Sequence, residues 1–217
     1  MSTESTLSRI LRCGIVAVVR SETAEPLVKV VRALAEGGVI ASEITFTVPD
    51  AADVLREVRK ELGDSVVLGA GTVLDAETAR IALLAGAEYL VSPVVNPEVI
   101  RLAKRYGKVV MPGAFTPTEI LAAWELGADV VKVFPADVGG PAYFRAIRGP
   151  LPQVRLMPTG GVDLSTAEAF LKAGAVCLGI GSSLVEPKAV ASKDFSRIRD
   201  LATQFAAIVA RFRGSPN

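Results

Sequence analysis

The chain has 217 residues, of which 50% are hydrophobic and 22% charged, a balance that excludes a disordered polypeptide and can fill the core of one large domain. With 24 basic against 23 acidic residues the net charge is +1, so no global field draws the chain to nucleic acid or to an anionic membrane. Histidine is absent, which removes His-based triads and His-ligated metals and leaves acid–base work to Glu, Asp, Lys, Tyr or Cys.

Cys13 and Cys177 are too few for a disulfide framework or a zinc site and suit a reducing compartment. No apolar run approaches the ~18 residues of a membrane span, and the first residues lack a basic and apolar leader pattern, so a cytoplasmic protein is expected.

In chain order, residues 6–11 are expected as a short helix. Eight Val/Ile-rich runs follow, at 15–20, 42–47, 66–72, 89–93, 109–114, 130–135, 155–161 and 177–183. Each is followed by a segment with helix signals. Asp75 precedes one, Asn96-Pro97 another, and Thr116-Pro-Thr-Glu119 forms a capping box. Helix ends share a glycine phrase, at Gly37-Gly38, Gly86, Gly127 and Gly174, suited to a left-handed C-cap. A terminal amphipathic helix is expected over 195–212.

Near-continuous apolar strands alternating with helices predict a parallel sheet buried on both faces. Eight units over 217 residues favour a compact α/β fold, a (β/α)8 TIM barrel in a single domain spanning 1–217, over an open doubly wound sheet.

Three charged residues stand in or at the end of apolar runs: Arg20 in the first, Glu43 in the second and Lys132 within Val130-Val-Lys-Val-Phe-Pro135. A charge in a buried sheet is costly unless it is paired or used. A lysine among valines loses hydration, which lowers its pKa and frees a neutral amine to attack a ketone; the protonated imine is then an electron sink for breaking the adjacent carbon–carbon bond. Glu43 is the matching proton carrier, its pKa raised by burial. The structural alternatives are an ion pair between these charges or a lysine reaching solvent from an edge strand.

Two glycine loops, Thr159-Gly160-Gly161 and Gly179-Ile-Gly181-Ser182-Ser183, lie where barrels commonly bind phosphate, although tight turning alone also uses glycine. The Gly69-Ala-Gly71-Thr72 phrase has Leu74 in place of a third glycine, so a dinucleotide site is discounted. Asp137 and Asp163 read as turn or cap residues, Trp124 and Tyr143 as packing, and Cys177 as inert core.

Taken in order, Glu43-Ile-Thr-Phe-Thr47, Gly69-Ala-Gly-Thr-Val73, Ser92-Pro93, Met111-Pro-Gly113, Lys132-Val-Phe-Pro-Ala136, Pro158-Thr-Gly-Gly-Val162 and Gly181-Ser182 resemble the bacterial 2-keto-3-deoxy-6-phosphogluconate (KDPG) aldolases and their 4-hydroxy-2-oxoglutarate aldolase relatives over almost the whole chain. The resemblance implies a class I aldolase without metal or cofactor, acting as a homotrimer on a phosphorylated keto acid to give pyruvate and D-glyceraldehyde 3-phosphate. It also implies roles: Lys132 as Schiff-base lysine, Glu43 as proton carrier, Thr72 at the pyruvyl carboxylate, Pro93 and Phe134 as pocket walls, Thr159 near the C4 hydroxyl, and Gly160, Gly161, Gly181 and Ser182 as phosphate cradle.

The chain departs from the family pattern at Thr47, where many members carry a carboxylate-binding arginine. Another branch places an arginine at the end of the first strand, where Arg20 stands. Galactonate-type relatives share that arginine but usually have an apolar residue at the position of Thr159, which tilts the expectation toward the gluconate epimer. Other readings are a phosphate-binding barrel isomerase or synthase, which has no need of Lys132, and an engineered assembly scaffold on the aldolase fold.

Overall fold

The computed structural model describes residues 3–214. Strands β1 (Ile15–Val19), β2 (Ala41–Thr45) and β3 (Val67–Gly71) are buried at every position, as strands covered on both faces must be. Shorter strands follow: β4 (Tyr89–Val91), β5 (Val109–Met111), β6 (Gly113–Ala114), β7 (Val131–Val133), β8 (Leu156–Pro158) and β9 (Leu178–Ile180). All pairings are parallel.

The strands form a curled layer of two sheets, ordered β5-β4-β3-β2-β1-β9 and β6-β7-β8. This corrects the expectation of eight continuous strands. The fifth run is broken at Pro112, which has no N–H to give to a neighbour, although its carbonyl still accepts from Lys132 N at 2.9 Å. Between β8 and β9 the ladder shrinks to one parallel bridge, Thr159 to Gly179.

Helices α2 (Leu27–Glu36), α3 (Ala51–Leu62), α4 (Ala76–Leu84), α5 (Pro97–Arg105), α6 (Pro117–Glu125), α7 (Gly140–Arg148) and α8 (Ala167–Lys172) fill the crossovers, followed by α9 (Pro187–Ala191) and α10 (Phe195–Gly214). The expected caps are present: Asp75 accepts from Thr78 N, Asn96 from Glu98 N and Val99 N, and Thr116 with Glu119 closes a capping box. Gly38, Gly86, Gly127 and Gly174 all have φ between 92° and 105°. After each, the next residue's N–H reaches five residues back, as Val39 to Leu34 O and Ala175 to Phe170 O, completing a helix stop only glycine adopts without strain.

Alternation along each strand sorts side chains into two clusters. Ile15, Ala17, Val19, Leu68, Ala70 and Leu90 pack outward against the helices, while Val16, Ala41, Val67, Tyr89, Val109, Met157 and Cys177 pack inward as a floor. The N-terminal helix α1 (Thr3–Cys13) is longer than the expected 6–11 and adds Ile10 to that floor. Above the floor the inward positions turn polar, at Glu43, Lys132 and Thr159.

Candidate active site

Lys132 is the central residue of β7, between Val131 and Val133, and is 4% exposed. Its neighbours face the helices, so by the two-residue strand period its own side chain faces inward. Burial holds its amine below the usual lysine range; Glu43 pushes the other way and Arg20 adds to the lowering. The ammonium nitrogen lies 5.1 Å from the centre of the Phe134 ring.

Glu43, in the middle of β2, is 1% exposed and neither carboxylate oxygen has a hydrogen-bond partner among the described residues. Burial raises its pKa, while the charges of Lys132 and Arg20 pull it back. The pair is coupled electrostatically through space without a hydrogen bond between them. A buried amine with its pKa lowered and a buried carboxyl with its pKa raised, sharing one interior, are the groups that imine chemistry with proton transfer requires.

Room for Glu43 comes from Gly71, where a Cβ would stand 2.6 Å from Oε1. Thr159 directly follows β8, is 7% exposed, and its hydroxyl also lacks a partner among the described residues. Gly179 makes space for it, since a Cβ there would lie 2.2 Å from Thr159 Oγ1. Gly160 and Gly161 have φ of 94° and 68°, and a Cβ on Gly161 would meet Asp137 Cβ at 2.5 Å, so this loop requires glycine for shape as well as for space.

A cavity of about 250 Å3 opens above these groups, walled among others by Val18, Arg20, Phe134, Thr159, Gly160, Gly161, Gly181 and Ser182. Seven of the residues given a binding role from the sequence thus share one cavity. Lys132, Glu43, Thr72 and Pro93 are not among its walls. Thr72 follows β3 with φ of 56°, a conformation of few non-glycine residues. Pro93 follows β4 with its carbonyl against β6, where a Cβ on Gly113 would lie 2.4 Å from it.

Arg20 directly follows β1, whose pairing with β2 stops at Val19, and it is solvent-exposed. It also borders a wider cavity of about 730 Å3 formed with the loop after β1 and α9. Thr47 is engaged by Thr45, Oγ1 to Oγ1 at 2.8 Å, and supplies no charge. Sequence reasoning missed Val18, Val185 and Pro187 as cavity walls; for Val18 the signal was its position two residues before Arg20 on the same strand face.

The remaining weak candidates behave as expected. Asp163 Oδ1 accepts from the N–H groups of Ser165 and Thr166, Tyr143 donates to Phe115 O from α7, and burial pushes the Cys177 thiol up to about 12. Among the described residues no group of three or more Cys, Asp or Glu side chains could hold a metal.

Comparison with known proteins places this geometry. The aldolase family model described as KDPG and KHG aldolase matches residues 7–201, a span that includes every site residue named above. The 2-dehydro-3-deoxy-phosphogluconate aldolase of Treponema pallidum is 39% identical over 199 residues, covering 91% of this chain and 94% of that one. The probable 2-dehydro-3-deoxy-6-phosphogalactonate aldolase of Rhizobium meliloti is 42% identical over 176 residues, 80% and 82% of the two chains. A Legionella pneumophila KDPG aldolase, solved with pyruvate captured as a covalent carbinolamine intermediate, superposes with a TM-score of 0.85 at 26% identity over 94% of this chain and 97% of that one. With its buried amine and carboxyl inside a curled parallel sheet, and a family match over most of its length, this chain belongs to the KDPG and KHG aldolase family.

Proposed function

We propose that the chain is a class I aldolase that cleaves 2-keto-3-deoxy-6-phosphogluconate to pyruvate and D-glyceraldehyde 3-phosphate, on one domain whose two sheets act as a single (β/α)8 barrel. The observation that carries this reading is Lys132, buried in a valine strand with its amine pKa lowered, facing the interior it shares with the partnerless carboxyl of Glu43.

The neutral Lys132 amine attacks the C2 carbonyl of the substrate; the carbinolamine hydroxyl then takes a proton from Glu43 and leaves as water, giving a protonated imine and the Glu43 carboxylate. That cation takes up the electron pair of the C3–C4 bond as it breaks, while Glu43 receives the C4 hydroxyl proton through a water and the aldehyde departs. Glu43 then returns the proton to C3 of the enamine, and water hydrolyses the imine to free pyruvate and Lys132. Arg20 pairs with the pyruvyl carboxylate, assisted by Thr72, between walls of Pro93 and Phe134. Thr159 meets the C4 hydroxyl, and Gly160, Gly161, Gly181 and Ser182 cradle the phosphate with backbone N–H groups. For Arg20, Phe134, Thr159 and the two glycine loops the support is the cavity they share; for Thr72 and Pro93 it is the family resemblance.

Incubation with pyruvate and borohydride, followed by peptide mass mapping, tests the reading. A reduced adduct on Lys132 is expected; an adduct only on surface lysines, or none, overturns it. Unphosphorylated substrate analogues are expected to show lower kcat/KM, and equal values would reduce the glycine loops to turns.

A second reading, the galactonate epimer as substrate, is favoured by Arg20 and by the Rhizobium meliloti relative; Thr159 favours gluconate. The ratio of kcat/KM for the two epimers and for 4-hydroxy-2-oxoglutarate decides between them. A homotrimer is supported by an apolar face around α4, where Leu74, Ile81, Leu84 and Val94 are about half exposed or more, and native mass checks it. Among the described residues no helix is long and apolar enough to cross a membrane, which agrees with a cytoplasmic enzyme.

A further inference from the structure

Tyr89, the first residue of β4, is fully buried, and its hydroxyl has no hydrogen-bond partner among the described residues. Both carboxylate oxygens of Glu43 share that deficit. The two residues are linked by register: Glu43 pairs with Gly69 and Gly69 with Tyr89, one row across β2, β3 and β4. The far end of the tyrosine ring occupies the space above Gly69, with Cε1, Cζ and Cε2 lying 2.5, 2.3 and 2.3 Å from where a Cβ would be. The hydroxyl, carried on Cζ, is thereby brought from β4 across β3 toward β2.

The Glu43 carboxylate leans along the strand toward Gly71, two residues above Gly69. Gly69 and Gly71 are about 6.6 Å apart along the strand; the phenol near one and the carboxylate near the other make no direct hydrogen bond, and a single water joins them when their oxygens lie within about 6 Å of each other. Such a water needs at least two polar partners; among the described residues the buried side-chain atoms without one are the Tyr89 hydroxyl, both Glu43 carboxylate oxygens and the hydroxyls of Ser42 and Thr159, and of these hydroxyls only that of Tyr89 belongs to the floor. Its surroundings in the floor are apolar, with Val67, Val91, Val109, Met111 and Met157 among them, so a phenylalanine would fill the volume without burying a hydroxyl.

We infer that Tyr89 is a positioning residue for Glu43: its hydroxyl donates to one buried water, and that water donates to the carboxylate from beneath the site. The inference rests on Glu43 being the proton carrier. Burial and the charge of Glu43 both keep the phenol protonated, so it serves as donor. Lys132 and Arg20 are the charges that act on Glu43. The other titratable groups near Tyr89 are Cys13, Cys177 and Glu88. The Cys177 thiol is neutral, and Glu88 is engaged by Arg59 and by Leu68 N–H, which leaves Tyr89 as the donor from the floor.

The test is Tyr89→Phe, with three readouts: borohydride trapping of the pyruvate imine, hydrogen–deuterium exchange of the pyruvate methyl group as a function of pH, and thermal melting. Trapping at wild-type yield is expected, together with a 5- to 10-fold slower methyl exchange (about 1–1.4 kcal/mol) and an acidic limb moved upward by about half to one pH unit, because the carboxylate has lost a donor. In the Glu43→Gln background the same change should have no further effect on exchange. Replacing Tyr89 with 3-fluorotyrosine, a stronger donor that keeps the ring, should move the limb downward. If Glu43→Gln abolishes exchange while Tyr89→Phe keeps the wild-type rate and limb, altering only the melting temperature, the inference is overturned and the role of Glu43 stands. If Glu43→Gln itself retains full exchange, the proton-carrier reading fails and the inference falls with it.

Discussion

A methyl group on Gly71 would stand 2.6 Å from Glu43 Oε1, so the absence of a side chain on β3 is what allows a carboxylate from β2 to lie across the sheet interior. The atom that would be displaced is the tip of a side chain, not backbone. Gly71→Ala is therefore expected to fold and to move the carboxylate. Misplacement of a reacting group by about 1 Å costs on the order of 100-fold, so kcat should fall by about that factor while thermal melting changes little. Unchanged kcat would disprove the steric role of Gly71.

Lys132→Met removes the only amine in the interior of β7 and keeps much of the side-chain volume. Turnover and borohydride trapping with pyruvate should both vanish, while circular dichroism stays native. Residual trapping elsewhere on the chain would move the imine away from Lys132.

Stability and pH test the two buried groups together. A carboxyl whose folded pKa is raised, as burial raises that of Glu43, contributes stability below its unfolded pKa and loses it as pH rises through the folded pKa. An amine whose folded pKa is lowered, as burial lowers that of Lys132, contributes stability above its unfolded pKa and loses it as pH falls through the folded one. Above the unfolded carboxyl's pKa the raised pKa of Glu43 costs the fold stability, so at neutral pH Glu43→Gln should raise Tm by roughly 2–4 °C for each kcal/mol recovered. That gain should shrink as pH falls toward about 4.3, where the unfolded carboxyl protonates. Melting curves at a series of pH values check it; a gain independent of pH speaks against a buried ionised carboxyl.

Arg20→Ala should raise the inhibition constant of pyruvate about tenfold, the scale of one charge-assisted hydrogen bond. The effect stays below that of a fully desolvated pair because Arg20 is exposed and water screens it. Arg20→Lys should recover part of the affinity, keeping charge without the forked geometry. A pyruvate complex with the guanidinium turned away from the carboxylate would remove Arg20 from the site.

Chelation is expected to leave turnover intact. Without histidine and without a cluster of carboxylate or thiol groups among the described residues, the donors for a divalent metal are not gathered in one place. A loss of activity restored by added metal would contradict the imine mechanism.

Much of this molecule is written locally. The caps at Asp75, Asn96 and Thr116 and the helix stops at Gly38, Gly86, Gly127 and Gly174 follow from backbone groups within a few residues, and each appears where the sequence places it. Lys132 and Glu43 were legible for a similar reason, since a charge inside an apolar run has few structural uses. The interruption at Pro112, the exposure of Arg20 and the cavity walls at Val18 and Pro187 were decided by which strands pair and where the pairing stops. The glycines divide the same way. Those that end helices answer to their own φ, whereas Gly69, Gly71 and Gly179 leave space for Tyr89, Glu43 and Thr159, side chains up to 28 residues away in sequence. Space is a property shared by two strands, so it exists only once they are brought side by side.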